Sequence, residues 1–454
     1  MRSKQVPKWM CSALIAIHLL ALGWSLSART WSFPDSDRYV QAAENLRVQG
    51  ELYARPWLGT AIRGKAVQEY SIRPPGYPFM VLAIGGAERP VVLLLVQNII
   101  SLLSIVLVLQ WWAKRTHPKS SHWIGAFFLI STFPGQFIYA NALMSELLLQ
   151  GVVVAMACMA ILFTTTWQKR YFIGGCVAVS AALLIKPVFC PLALVMVLLG
   201  IGIAWKRKQP SLAVISFGPI LIVWLYMSWN LNRTGYFHFS SIAEINLLHY
   251  NAAGVLRQTE GQQVAEQWVA EVLREADAQP DFAARQMLIS KRAMGVLWAH
   301  PIVYTRQHVQ GMLFFFLDPG RFDISQFLHL QPPVGGGFLA QRRASGVIAA
   351  LRRLPVGLLL TLVSVALANG VRLSLAVRGF LLAKTSEPAL RQSRWVIVGL
   401  VLYVALLTGP LGAARFLVPV WPLLLGFALM GLAPARLTDD SNAQEATAVG
   451  EHQR

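Results

Sequence analysis

Between Phe33 and Pro78 the chain gathers carboxylates, arginines and a proline turn into a stretch without a membrane-length apolar run. Asp35 and Asp37 follow Pro34, and Arg73-Pro74-Pro75-Gly76-Tyr77-Pro78 closes the stretch. A carboxylate at the edge of a low-dielectric layer is partly desolvated, which raises its pKa and makes it a better proton acceptor. Asp35 therefore suits a general base. Pro74 pushes Arg73 towards extended backbone and Gly76 permits a turn, so the direction of one guanidinium is set. Its planar fork can donate two parallel bonds to a phosphate. Plainer roles fit the same residues: Asp35 or Ser36 can cap the helix that follows, and Arg73 can snorkel to lipid headgroups. Asp-x-Asp could also hold a divalent cation, although two acids make a short ligand set.

Further along, Glu146 follows Ser145 at the start of an apolar run. An acid at membrane depth is costly and marks a functional candidate, although with Asn141 and Ser145 nearby it could serve as a helix cap. Lys186 precedes Pro187 in a turn between two short apolar segments, and Arg415 follows Gly409-Pro410-Leu411-Gly412. Arg73, Lys186 and Arg415 thus fall on one membrane face, against the positive-inside bias, as an anionic ligand on that face would require. Tyr39 and Tyr77 lie beside the first acid and the proline turn. Arg233, Asn246, His249 and Tyr250 open a long polar stretch; they could bind a sugar or an acceptor, or simply form a solvated loop.

The elements that must position these groups are helices in a membrane. Of 454 residues 55% are hydrophobic and 13% charged, roughly half the ~25% charge of a soluble domain. Ten apolar runs approach the ~20 residues that cross a bilayer. They are Met10–Trp31, Pro90–Trp112, His122–Tyr139, Leu143–Thr166, Tyr171–Ile185, Val188–Trp205, Leu212–Trp229, Leu354–Leu373, Trp395–Thr408 and Phe416–Leu432. A leading MRSKQVPK could begin a signal peptide, but its apolar run continues into Trp31-Ser32-Phe33, which fits a retained first helix better. An all-α polytopic membrane protein with about ten crossings and both termini inside is expected.

Four parts follow: 1–229 with a first outer loop at 32–89, a long outer loop at 230–353, C-terminal membrane helices at 354–434, and a disordered tail at 435–454. In the long loop, Gly261 to Ala276 has the spacing of an amphipathic helix. Asp281 caps another that ends near His300-Pro301. Met312 to Leu317 is too short to span and reads as re-entrant or interfacial. Pro332 to Gly337 reads as a flexible link. The net charge of +19 sits in short basic clusters between apolar runs, as the positive-inside rule has it. No nucleic-acid-binding signature is present, which excludes that partner class. Cys11, Cys158, Cys176 and Cys190 lack metal spacing and read as buried thiols. Trp31, Trp112, Trp167, Trp205 and Trp229 read as interfacial belt residues.

At Pro34-Asp35-Ser36-Asp37-Arg38-Tyr39, Arg73-Pro74-Pro75-Gly76-Tyr77-Pro78, Ser145-Glu146 and Arg415-Phe416-Leu417-Val418-Pro419-Val420-Trp421-Pro422 the chain resembles the GT-C superfamily of polyprenyl-phosphate-sugar-dependent glycosyltransferases. The likeness is greatest to the protein O-mannosyltransferase and lipid A aminoarabinose transferase branch. The resemblance implies juxtamembrane helices on the outer face and a lipid-linked sugar donor. It also implies an acceptor hydroxyl on a protein, lipid or polysaccharide, and a site facing the periplasm or exterior of the cytoplasmic membrane. It assigns the catalytic base to Asp35 and the donor phosphate to Arg73, with Lys186 standing where an arginine is usual. The family often has an acid just before the phosphate-binding cation; Ile72 stands there, so a second acid would be Asp37 or Glu146. The rival class is a transporter or flippase using Glu146 and Lys186 as an intramembrane ion pair. Such proteins usually carry internal repeats, and none is seen.

Overall fold

The computed structural model of this protein describes residues 5–85, 89–330, 354–383 and 388–433. The expected link at Pro332 to Gly337 and the tail from 435 lie outside the described residues, which are helical or irregular throughout. Membrane-length helices include α1 (Lys8–Ala28), α4 (Pro90–Thr116), α7 (Glu146–Thr166), α9 (Cys190–Arg207), α11 (Gly218–Thr234), α18 (Val356–Leu382), α19 (Pro388–Thr408) and α21 (Trp421–Leu432). Four of these, α9, α11, α19 and α21, run on into neighbouring short helices or turns, so that among the described residues eight helices are long and apolar enough to cross a membrane. A ninth span is the pair α5 (Ser120–Ser131) and α6 (Pro134–Ala140), bent by 57° at a short break. The helix α8 (Lys169–Ile185) has 17 residues, about 26 Å at 1.5 Å per residue. Each of the ten expected runs therefore corresponds to a helix or to the bent pair.

Between the membrane segments lie α2 (Ser36–Gln49), α3 (Gly76–Ile84) and α10 (Pro210–Ser216), then α12 (Ile242–Asn246), α13 (Ala253–Thr259), α14 (Gln262–Asp277), α15 (Phe282–Ala299), α16 (Pro301–Leu317) and α17 (Arg321–Phe327). The expected amphipathic helix is α14, which buries Ala265, Val269, Val272 and Ala276. The α15 cap is as expected: Asp281 Oδ1 accepts the Ala284 N–H at 2.8 Å. Met312 to Leu317 is no separate element but the last third of α16. Tyr39, Ala42 and Ala43 of α2 form a stripe that is buried inside the protein. Trp112 departs from the belt reading: it is fully buried, packs on Trp123 and donates to Ala433 O. Of the cysteines only Cys176 is buried; the other three are half-buried, and all four are free.

The chain breaks helix between Ala140 and Glu146 inside the bundle, where unpaired backbone carbonyls would be costly without water. Amides from neighbouring helices cover them. Gln97 donates to Ala142 O at 2.7 Å, and Asn98 donates to Ala140 O at 3.1 Å and to Asn141 Oδ1 at 2.8 Å. Below the break, Gln136 and Gln150 exchange bonds of 2.9 Å, and Gln150 also donates to Val418 O at 2.6 Å. These amides fix where α7 begins, and α7 begins with Glu146.

The α18 and α21 helices meet backbone to backbone. A Cβ on Gly379 would overlap Phe427 O, and one on Gly431 would overlap Leu375 O; such small-residue contacts let membrane helices approach closely. Gly370, on the same helix as Gly379, has nothing within 4 Å of its Cβ position. Gly379→Ala is expected to cost about 1–3 kcal/mol, the usual price of overpacking, while Gly370→Ala stays neutral or slightly stabilising. Thermal unfolding of the two variants in detergent distinguishes them.

Candidate active site

The residue before α2 is Asp35, yet its side chain makes no capping bond. Ser36 does the local tying instead: its Oγ accepts the Phe33 N–H at 2.9 Å and donates to Leu143 O at 3.0 Å. The Asp35 carboxylate is thereby left to meet cations. Tyr39, one helical turn on, lies under Arg73, whose guanidinium carbon is 5.0 Å from the ring centroid. The Tyr39 hydroxyl sits 3.2 Å from Ser145 Oγ, joining α2 to the start of α7.

The Arg73 turn is set by close approach. Gly76 starts α3, and a Cβ there would lie 2.8 Å from Leu184 O and from Ile185 Cγ1. Only glycine lets α3 start against the end of α8, and the next residue of α8's exit is Lys186. Extended backbone at Lys186 (φ −138°, ψ 128°) is what Pro187 demands of it. The third cation, Arg415, sits in the four-residue turn α20 (Ala414–Leu417) that leads into α21.

These turns place five charged groups together. Arg73 Nη2 lies 2.5 Å from Asp35 Oδ1, and Arg415 Nη2 lies 3.2 Å from Asp35 Oδ2. Lys186 Nζ is 2.6 Å from Glu146 Oε1, with Arg415 Nε 3.8 Å from the same oxygen. Arg415 therefore links the two carboxylates. Phe416 backs the group, with Arg415 4.9 Å and Lys186 5.7 Å from its ring centre. Glu146 has no exposed surface, and its Oε2, together with Arg73 Nε and Arg415 Nε, has no hydrogen-bond partner among the described residues. The α7 N-terminus favours its negative charge. Three cations against two carboxylates leave one positive charge in a half-enclosed site lined by unsatisfied donors.

One expectation about Asp35 is overturned. Burial does act to raise its pKa, but Arg73, Arg415 and Lys186 together outweigh burial and hold the carboxyl below its ordinary value. At rest Asp35 is a poorer base than its position at the edge of the loop suggested.

A second acid behind this group was not singled out in the sequence. Glu69 is buried and takes Arg38 at 3.0 and 3.3 Å and Arg55 at 2.8 Å, clamping the loop to α2. It lies four residues before Arg73, while Ile72 packs in a small apolar cluster. Asp323, also passed over, is buried, accepts the Tyr139 hydroxyl at 2.8 Å, and is raised to about 7 by burial. The only signal for it was its place after Asp318-Pro319-Gly320, a turn directly behind an apolar run.

No family model matches this chain, and no curated protein matches it. Among solved structures it is similar to ArnT from Cupriavidus metallidurans bound to undecaprenyl phosphate, at 15% identity over 93% of this chain and 76% of that one, with a TM-score of 0.35. It is similar also to ArnT from the same organism in the apo state, at 13% identity over 93% and 77% of the two chains, with a TM-score of 0.34.

The remaining sequence candidates stand apart from the charged group. Asp37 is exposed and takes only a long bond of 3.5 Å from Ser32; two residues along a helix is about 200° around it, so it faces away from Asp35. Tyr77 is fully buried behind Tyr39 and donates to Gln97 Oε1 at 2.7 Å. Arg233 is a buried tie: it donates to Leu52 O and Asn230, and its guanidinium carbon lies 3.6 Å from the Trp229 ring centroid. Asn246 ends α12 and its carbonyl accepts from Asn251, while His249 and Tyr250 lie in the π-helical turn Leu247–Ala252 and their carbonyls accept from Arg257 and Gln307. The bonds described for these three residues do not reach the five charged groups. Among the described residues no set of three or more His, Cys, Asp or Glu side chains is placed to hold a metal ion.

The raised Asp323 value carries a signed consequence. An acid that titrates near 7 when folded and near 4 when unfolded binds more protons in the native state between those values. Stability therefore falls as pH rises from about 4 to about 7. Asp323→Asn is expected to flatten that fall, which unfolding curves across the range read directly.

Proposed function

We propose that this protein is an integral membrane glycosyltransferase that moves a sugar from a polyprenyl-phosphate carrier to an acceptor hydroxyl at the outer face of the cytoplasmic membrane. The observation that carries this reading is the placement of Asp35 between Arg73 and Arg415, with Lys186 and Glu146 completing the group. The two residues to which the motif resemblance gives the reaction, 38 positions apart in the chain, meet in an ion pair.

Charge supports a monophosphate donor. A phosphodiester joining a polyprenyl chain to a sugar bears one negative charge, which neutralises the single positive charge the five groups leave over. Arg73 and Arg415 can reach that phosphate only by loosening their hold on Asp35. Binding then withdraws the cations that depress the carboxylate, and its proton affinity recovers.

In the reaction, the acceptor oxygen forms a bond to the anomeric carbon while the bond from that carbon to the phosphate oxygen breaks. The hydroxyl proton passes to Asp35, and the electron pair of the broken bond stays on the phosphate. One displacement inverts the anomeric configuration. A phosphate is a stable anion, so no strong acid is required; Arg73, Lys186 and Arg415 stabilise the charge that builds on it. Glu146 pairs with Lys186 and Arg415 and aims them in a buried setting, where an unpaired cation would be expensive.

With purified protein in proteoliposomes and a synthetic polyprenyl-phosphate sugar, Asp35→Asn is expected to lower kcat by about 10²–10⁴, the usual contribution of a general base. The protein should still fold and bind donor. Arg73→Ala should raise the donor KM as well as lower kcat. Full transfer by Asp35→Asn overturns the assignment.

A further inference from the structure

Arg415 must reach two carboxylates at once, yet the turn that carries it has little of its own to hold it. The α20 helix has four residues, and Ala413 stands at its N-cap with no side chain that could tie the first turn. The tie comes from another helix. Asp318, immediately after α16, accepts the Ala414 N–H on Oδ2 at 2.8 Å and the Gly320 N–H on Oδ1 at 3.1 Å. Its own carbonyl accepts Asn369 Nδ2 at 3.1 Å, and Asn369 in turn takes Arg372, a buried cation that also donates to Leu129 O and Thr132 at the bend of the ninth span.

The same helix presses on the chain leading to Arg415 one and two turns earlier. A Cβ on Gly311 would overlap Gly409 O, and one on Gly412 would overlap Gly311 O. Gly409 and Gly412 also have positive φ, at 37° and 32°, so the turn needs glycine twice over. His308 Nε2 lies 2.8 Å from Leu406 O. Further up, Gln307 donates to Tyr250 O at 2.7 Å and accepts from Gln258 at 3.1 Å, fastening α16 to the π-helical turn. The helix is thus a strut with its lower end bonded to the residue beside Arg415.

We propose, on the glycosyltransferase reading above, that Asp318 is a positioning residue for Arg415. By holding the Ala414 N–H it fixes where the guanidinium stands between Asp35 and Glu146, and so sets affinity for the lipid phosphate without touching it. Each carboxylate oxygen takes one backbone N–H, so an amide, with a single acceptor oxygen, can serve only one of the two at a time.

The probe is undecaprenyl phosphate in detergent micelles, titrated into purified full-length protein, with hydrogen exchange of residues 413–417 followed in parallel. Asp318→Ala is expected to weaken binding about tenfold and to speed exchange in that segment. Asp318→Asn, which keeps one acceptor oxygen for two N–H groups, should fall between the parent and the alanine variant, with a loss of binding of about threefold and a parallel gain in exchange. In turnover assays the alanine variant should raise the donor KM more than it lowers kcat. A parent protein that binds no polyprenyl phosphate overturns the proposed function and this inference with it. A parent that binds, with an alanine variant that binds equally well, overturns the positioning role alone. If the alanine variant does not fold, the asparagine variant decides, and binding that weakens without faster exchange of residues 413–417, or faster exchange without weaker binding, contradicts the inference.

Discussion

Three cations cannot be packed side by side at the edge of a low-dielectric layer unless carboxylates stand between them, and carboxylates there need cations equally. The fold is arranged around that mutual requirement. Asp35 separates Arg73 from Arg415, and Glu146 separates Arg415 from Lys186. The group is nearly but not fully balanced, with one positive charge in excess.

Each charged side chain arrives from a different element, and every arrival depends on a break in regular structure. Asp35 stands where the chain leaves α1, Arg73 in a proline turn, Glu146 after a helix interruption, Lys186 before a proline, and Arg415 behind a glycine-rich turn. Breaks inside a membrane protein leave backbone groups that need partners, so the buried amides Gln97, Asn98, Gln136 and Gln150 are part of the same arrangement. Close backbone contacts at Gly76 and Gly311 then bring the broken ends within ion-pair distance. The site is built from helix ends rather than helix faces.

Much of this was legible in the sequence. Apolar runs of near-bilayer length marked every membrane-length helix among the described residues, because hydropathy is read over many residues and tolerates local error. Asp35, Arg73, Glu146, Lys186 and Arg415 stood out because a charge beside a long apolar run is conspicuous. What could not be read was pairing. Ile72, in the place where an acid was sought, packs in an apolar cluster, while Glu69 three positions earlier supplies a clamp. The lowered pKa of Asp35 follows from cations up to 380 residues away, so local burial gave the wrong sign. Arg233 looked like a ligand group and is a strut, since a buried arginine and an exposed one share the same letter. Gly76 was read for its freedom to turn and serves for its lack of a side chain.

The lipid that accompanies the protein tests the central claim most directly. Native mass spectrometry of the protein extracted gently from its own membrane is predicted to show a single polyprenyl phosphate, with or without a sugar, retained by the parent and lost on Arg73→Ala. Retention of bulk phospholipid alone, or the same polyprenyl phosphate held equally by parent and variant, would contradict a phosphate site built on Arg73, Lys186 and Arg415.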